Sequence, residues 1–121
     1  MKLVLFNDDR LGVLKDGNVH DVSDAVKDVP RVTAQDLVNG VIAGFARLRP
    51  GLEEASNSSP GVPVSQVRLG PPLPRPGKIV AMAVNYMEFG ARTEPAPINA
   101  FLKSPDAVIG PGGTIVLPGA E

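Results

Sequence analysis

The sequence predicts an α+β fold in which a small N-terminal domain of strands and one helix precedes the first strands of a second sheet. Short apolar segments separated by turn residues fill the first 22 residues, a pattern typical of a β-meander. Apolar residues then recur at helical spacing over residues 33–50, which indicates a helix. A near-continuous apolar run begins at Ile79, after a proline-rich stretch, and predicts the start of a new sheet.

The N-terminal meander is predicted as three strands, at residues 2–6, 10–15 and 19–22. Asp16 and Gly17 lie between the second and third strands, and glycine readily adopts the positive φ that a tight hairpin turn requires. Ser23 or Asp24 is expected to cap a short helical turn that ends near Val26, because both side chains can accept a bond from a free backbone N–H.

The predicted helix begins after Thr33, whose hydroxyl suits an N-cap. Its apolar stripe comprises Leu37, Val38, Val41, Ile42, Phe45 and Leu48. Gly40 and Gly44 share one face of the helix, where we interpret them as sites of close packing against the sheet. Pro50 and Gly51 are expected to end the helix, since proline removes a backbone donor and glycine favours helix ends.

Residues 51–77 are predicted to be irregular and proline-rich, and to contain the domain boundary. The segment 53–59 is polar, and Val62, Val64, Val67 and Leu69 are expected to pair as an edge strand, where proline is tolerated. The predicted organisation is a small α+β domain at residues 1–70, a connector at 71–77 and the beginning of a second domain at 78–121. A docking peptide is the alternative reading of the prolines at residues 71–76.

Composition excludes several classes of function. With 12 basic and 13 acidic residues, the chain lacks the positive charge typical of binding to nucleic acid or an anionic membrane. It has no cysteine, which excludes disulfides, a thiolate nucleophile and cysteine-ligated zinc. The apolar N-terminal segment is too short for a signal peptide or a membrane span. We therefore expect a soluble, cytoplasmic protein.

The stretch from Lys78 to Lys103 carries the candidate site. Its strand at residues 79–84 is predicted to be buried on both faces, because the apolar residues do not alternate with polar ones. Polar side chains follow directly, at the end of a strand where binding groups can be held rigidly: Asn85, Tyr86, Glu88 and Arg92. A solvated surface ion pair between Arg92 and its neighbouring glutamates is the alternative. Two short strands are predicted further on, at residues 107–109 and 114–117.

Short motifs follow one another through about the last third of the chain: residues 76–80 (PGKIV), 85–89 (NYMEF), 101–105 (FLKSP), 108–112 (VIGPG) and 115–118 (IVLP). As an ordered series they resemble the opening of the fumarylacetoacetate hydrolase (fumarylacetoacetase) family. The hairpin at residues 10–13 (RLGV) resembles, more loosely, the small N-terminal domain that many members carry ahead of the catalytic part.

The resemblance implies that residues 78–121 are the first strands of an incomplete, mixed β-roll catalytic domain. It also implies a bound Mg²⁺ or Mn²⁺ ion, or Ca²⁺, and a small diketo-acid or related oxo-acid substrate. Reactions in the family include C–C bond hydrolysis, decarboxylation and isomerisation, in which the metal polarises oxo and carboxylate oxygens of the substrate. The implied assembly is a homodimer, or association with the missing catalytic portion.

Site residues are implied by motif position. Glu88 stands where the fumarylacetoacetases proper place an aspartate on the metal, which makes it the implied catalytic carboxylate and metal ligand. Asn85 and Tyr86 match the tract at the active-site entrance, and Lys103 matches the Phe-x-Lys lysine near the substrate. These four residues, with Arg92, form the predicted site.

The chain departs from the family pattern in two ways. Many smaller members have histidine at the position of Phe89 and glutamate at that of Arg92, so Arg92 is expected to grip a substrate carboxylate instead. The main metal ligands of the family, a Glu-x-Glu pair and a later aspartate, follow the position of Glu121. The chain is therefore expected to be the N-terminal part of a longer hydrolase, inactive alone. The alternative is a binding or assembly module that docks its exposed terminal strand on a partner.

Overall fold

The computed structural model describes residues 1–83, 94, 97–117 and 119. Within these residues it contains eight regular elements: β1 (Leu3–Phe6), β2 (Arg10–Lys15), β3 (Asn18–Asp21), α1 (Ala34–Ala43), α2 (Phe45–Ser58), β4 (Gly61–Pro63), β5 (Ile79–Ala83) and β6 (Asn99–Lys103). The chain divides into two compact units, one formed by Met1–Pro74 with Ile109–Glu121 and the other by Arg75–Val108. Antiparallel sheets and helices together confirm the predicted α+β class.

The first unit is built on a four-stranded antiparallel sheet in the order β1-β2-β3-β4. Leu3 pairs with Val13 between the first two strands, and Val13 pairs with His20 between the second and third. Asp16 and Gly17 form the second turn with φ values of 49° and 77°. Positive φ at both central residues is what a two-residue hairpin turn needs, so the predicted Asp-Gly turn is confirmed.

Residues 61–70 pair with both edges of the three-stranded meander formed by β1, β2 and β3. Val62 pairs with Val19 at one edge, and Leu69 forms a bridge with Phe6 at the other. The backbone N–H of Gly70 donates to the Leu5 carbonyl over 2.9 Å, which fixes the second edge. The prediction of one continuous edge strand is wrong, because a 3₁₀ turn at Val64–Gln66 carries the chain from one edge to the other. Covered edges leave few free donors and acceptors for unwanted strand pairing.

Helix α1 begins as the sequence predicts. The Thr33 hydroxyl accepts a bond from the backbone N–H of Asp36 over 3.2 Å, and the Asp36 carboxylate accepts one from the backbone N–H of Thr33 over 2.8 Å. This reciprocal capping box satisfies two donors that a helix start otherwise leaves free.

The predicted helix end at Pro50 is wrong. Helix α1 ends at Ala43 and Gly44 separates it from α2, which continues through Pro50 to Ser58. Proline cannot donate its backbone bond inside a helix, but the buried side chains of Leu48, Leu52 and Ser56 recur every four residues, and their burial offsets that loss. The segment predicted to be polar and irregular is thus the second half of α2.

A single hydrophobic cluster joins the sheet, the turn after β3 and both helices. Its buried members are Leu5, Leu11, Val13, Val22, Val26, Val29, Leu37, Val41, Leu48 and Leu52. No helix in the described part of the chain has the length and apolar content needed to cross a bilayer.

The second unit contains the antiparallel hairpin of β5 and β6, in which Ile79 pairs with Lys103 and Ala83 pairs with Asn99. The prediction that the first of these strands is buried on both faces is wrong. Val80 is 61% exposed and Leu102, its partner on β6, is 69% exposed. A hairpin of two strands needs an additional layer to cover an apolar face.

Neither of the two later strand predictions is confirmed. Pro105–Ala107 is a 3₁₀ turn, and residues 108–117 contain no strand. Ile115, Val116 and Leu117 are 75%, 85% and 80% exposed. An extended segment becomes a strand only when its backbone bonds to a neighbour, and these residues pair with no strand among those described.

Replacing Gly40 by alanine should destabilise the first unit. A Cβ atom at this position would lie 2.4 Å from Cγ1 of buried Val29, whose branched side chain has little rotational freedom. We expect a loss of about 1–3 kcal/mol in the free energy of unfolding, measured by urea denaturation. Gly51→Ala is the matched control, since nothing beyond the local helix backbone and its chain neighbours lies within 4 Å of its added Cβ. The control should gain up to about 1 kcal/mol; equal effects at both sites would contradict the packing.

The capping box should make stability depend on pH. A bond from the Thr33 hydroxyl, with further bonds from the backbone N–H groups of Thr33 and Val32, lowers the pKa of the Asp36 carboxyl. Its stabilising contribution is therefore present above the unfolded-state pKa and is lost as pH falls through the folded-state value. Asp36→Asn should flatten the acid limb of a pH series of urea titrations, whereas Thr33→Ser, which keeps the hydroxyl, should preserve it. An unchanged acid limb in Asp36→Asn would refute this linkage.

Candidate functional site

Most of the predicted site lies outside the described residues. This applies to Asn85, Tyr86, Glu88 and Arg92, and also to Phe89. Lys103 is described, at the end of β6. The geometry available for the site is therefore that of the β5–β6 hairpin, which flanks the polar cluster in sequence on both sides.

The hairpin has two faces of different chemistry. Side chains alternate between faces along a strand, and directly paired residues share a face. With Ile79 opposite Lys103, one face carries a cation and an amide; we call it the lysine face, and it comprises Ile79, Ala81, Ala83, Asn99, Phe101 and Lys103. The other contains no polar side chain; we call it the apolar face, and it comprises Val80, Met82, Ala100 and Leu102.

Lys103 is exposed at the end of the lysine face. Its Nζ lies 5.2 Å from the centroid of the Phe101 ring, within the range of a cation–π interaction. None of the ion pairs found among the described residues includes Lys103. Its charge is thus oriented by an aromatic ring and is not neutralised by a carboxylate in the described part of the chain.

The residues that follow Lys103 turn the chain immediately after the strand. The Ser104 hydroxyl accepts a bond from the backbone N–H of Asp106 over 3.2 Å, and Pro105 occupies the first turn of the 3₁₀ helix. An ion pair of 3.3 Å joins Arg75 to Asp106, although both side chains are exposed and such pairs contribute little stability. The serine and proline of the FLKSP motif therefore have a local role, which is to end β6 directly after the lysine.

The described residues contain no group of three or more His, Cys, Asp or Glu side chains that could hold a metal ion. A hard divalent cation needs several oxygen ligands. His20 is partly buried on β3, and its Nδ1 lies 2.8 Å from the Ser59 carbonyl oxygen, a contact to the backbone of the first unit. The described part of the chain does not fit a metal on its own.

The first unit contains a cavity of about 360 Å³ near the start of α1, which sequence reasoning did not predict. Its two cations are already engaged. Arg10 pairs with Asp21, and Arg31 donates to the Val26 carbonyl over 3.0 Å. We assign no chemistry to this cavity, because these bonds have structural roles.

Comparison with known proteins relates the whole chain to a class of enzymes, although no family model matches it. A maleylpyruvate hydrolase from Aquipseudomonas alcaligenes is 33% identical over 91 residues, which cover 71% of this chain and 30% of that protein. An uncharacterised protein from Pyrococcus horikoshii is 52% identical over 48 residues, which cover 36% of this chain and 20% of that protein. The chain therefore spans less than a third of the length of either curated relative.

A solved structure extends the similarity over nearly the entire chain. The crystal structure of maleylpyruvate hydrolase from Sphingobium sp. SYK-6, in complex with manganese(II) and pyruvate, matches with a TM-score of 0.82 and 31% identity. The match covers 99% of this chain and 43% of that one. Maleylpyruvate hydrolases are members of the fumarylacetoacetate hydrolase family, and the chain belongs to this family, with similarity to its N-terminal portion.

Proposed function

We propose that the chain is the N-terminal part of a divalent-metal-dependent hydrolase that cleaves a C–C bond in a diketo or related oxo acid. The observation that carries the proposal is the match to the Sphingobium hydrolase across 99% of the chain. That relative is in complex with manganese(II) and with pyruvate, an oxo acid. Mg²⁺ or Mn²⁺ is accordingly the proposed cofactor.

The proposed organisation keeps a small N-terminal domain at residues 1–70, a connector at 71–77 and the beginning of the catalytic domain at 78–121. The hydrophobic cluster of the first unit supports a structural role for the N-terminal domain. Gly110 belongs to the first unit, and a Cβ at this position would lie 3.0 Å from the Leu69 carbonyl oxygen. Gly110 therefore permits a close approach to the end of the N-terminal domain.

Each predicted site residue has a proposed role. Glu88 is the catalytic carboxylate and contributes one ligand to the metal, which when bound polarises oxygens of the substrate. Asn85 and Tyr86 have the proposed role of orienting the substrate, because they match the family's entrance tract. Arg92 binds a carboxylate through two parallel N–H donors, and Lys103 supplies a point charge to an anionic group.

We also propose a cytoplasmic location and association as a homodimer or with the remaining catalytic portion. The absence of cysteine supports the location, since disulfides are typical of oxidising compartments. The coverage of 43% of the Sphingobium chain supports association with further catalytic residues.

The 121-residue chain alone should show no turnover of acylpyruvates. A single glutamate cannot form the coordination shell of a hard cation, and the described residues contain no metal-binding group. Spectrophotometric assays with added Mn²⁺ should give no rate above buffer. Adding a polypeptide that carries the remaining portion of a homologous hydrolase should restore a rate that chelators remove. Robust, metal-dependent turnover by the chain alone would show that it contains a complete site.

Glu88→Gln should weaken Mn²⁺ binding by the restored assembly on the order of 10-fold or more, because even outer-shell partners of metal ligands have effects of this size. Isothermal titration with Mn²⁺ measures the change. Glu94→Gln is the matched control, since this exposed glutamate is close in sequence and has no proposed ligand role. Equal losses in both variants, or none in Glu88→Gln, would remove Glu88 from the proposed site.

A non-catalytic assembly module is the second candidate function. The exposure of Ile115, Val116 and Leu117 favours it, because a contiguous apolar surface often marks an interaction site. Under this alternative, a fragment carrying the missing sheet raises the melting temperature of the chain without producing turnover. A chain that stays monomeric and gains no stability from the fragment would count against it.

A further inference from the structure

The lysine face holds a contact that no motif predicts. Phe101 and Lys103 are two residues apart on β6, so their side chains lie on the same face, and the ammonium is 5.2 Å from the ring centroid. Phe101 pairs with Ala81, a small residue on the same face. The ring can therefore lie along the hairpin and present its electron-rich face to the ammonium.

We propose that Phe101 is a positioning residue that holds the Lys103 ammonium on the lysine face, where it binds a carboxylate of the oxo-acid substrate. This inference rests on the proposed function, which assigns Lys103 to the substrate. Lysine carries its charge on a flexible stem with many rotamers, and fixing such a side chain at the moment of binding costs affinity. The Phe101 ring fixes the ammonium before the ligand arrives, which reduces that cost.

The difference between the two faces of the hairpin determines which face can bind an anionic ligand. The apolar face offers no donor to a carboxylate, and burying a charge against it without a partner is unfavourable. The lysine face offers the ammonium of Lys103, which can donate to a carboxylate. A small oxo acid therefore finds a cationic partner on one side of the hairpin only.

Ring-current shifts test the positioning directly and need no activity. In the 121-residue chain labelled with ¹³C-lysine, the ε-CH₂ signal of Lys103, assigned through Lys103→Met, should be shifted upfield of the signals of the other lysines. Phe101→Leu should abolish this shift, and Phe101→Tyr should preserve it. Leu102→Ala is the control for general disturbance of the hairpin, because it lies on the apolar face, and it should leave the shift in place. A Lys103 signal without an upfield shift, or one unchanged in Phe101→Leu, would overturn the proposal.

Pyruvate tests the consequence for binding. Titration of the labelled chain with pyruvate, after assembly with the remaining catalytic portion and Mg²⁺, should move the Lys103 signal. In Phe101→Leu the apparent dissociation constant should rise about two- to fivefold, the effect expected from losing an exposed cation–π contact. Phe101→Tyr, which keeps an aromatic ring, should keep the wild-type dissociation constant. A loss of packing alone would not explain this difference between the two variants.

The two titrations separate failure of the inference from failure of the proposed function. If the ring-current shift is present and the restored assembly binds pyruvate without any movement of the Lys103 signal, the assignment of Lys103 to the substrate is wrong and so is its carboxylate role. If the apparent dissociation constant of pyruvate is the same in wild type and Phe101→Leu, Lys103 binds the anion without help from the ring. The positioning role is then overturned.

Discussion

A hairpin of two strands cannot bury both of its faces. The two units of the chain therefore differ in how much of their apolar surface is buried. In the first unit, the sheet and two helices share one hydrophobic cluster, and residues 61–70 pair with both edges of the β1-β2-β3 meander. In the second unit, β5 and β6 carry apolar residues on a face that includes exposed Val80 and Leu102. Covering that face requires a further layer, and the Sphingobium hydrolase is more than twice as long as the matched region.

Turns and helix caps were predicted correctly from the sequence where a few adjacent residues determine them. The Asp16-Gly17 turn needs only residues that tolerate positive φ, and the cap of α1 needs only a hydroxyl at Thr33 with a carboxylate three residues later. The continuation of α2 through Pro50 was missed because it depends on tertiary burial of Leu52 and Ser56. The strands expected at residues 107–109 and 114–117 were missed for a related reason, since a strand requires a partner that local sequence does not specify.

Some features of the candidate site were likewise predicted from motifs, whereas others became visible only in the structure. Motif order was sufficient to select Lys103 and to relate the chain to the fumarylacetoacetate hydrolase family. It did not predict the contact between Lys103 and Phe101, which depends on β6 being a strand, so that side chains two residues apart share a face. Some motif residues serve the fold: Ser104 caps the turn after β6, and Gly110 allows the chain to approach Leu69. Residues in such motifs can therefore be shared with relatives either because the fold needs them or because the site needs them.

The most direct test of the proposed site is a crystal structure of the assembly restored with the remaining catalytic portion and soaked with Mn²⁺ and pyruvate. We predict that the pyruvate carboxylate lies within hydrogen-bond distance of Lys103 Nζ on the lysine face, that Glu88 contacts the metal, and that the second polypeptide covers Val80 and Leu102. Pyruvate bound against the apolar face, with Lys103 directed into solvent, would contradict both the proposed function and the orientation of the hairpin from which it is argued.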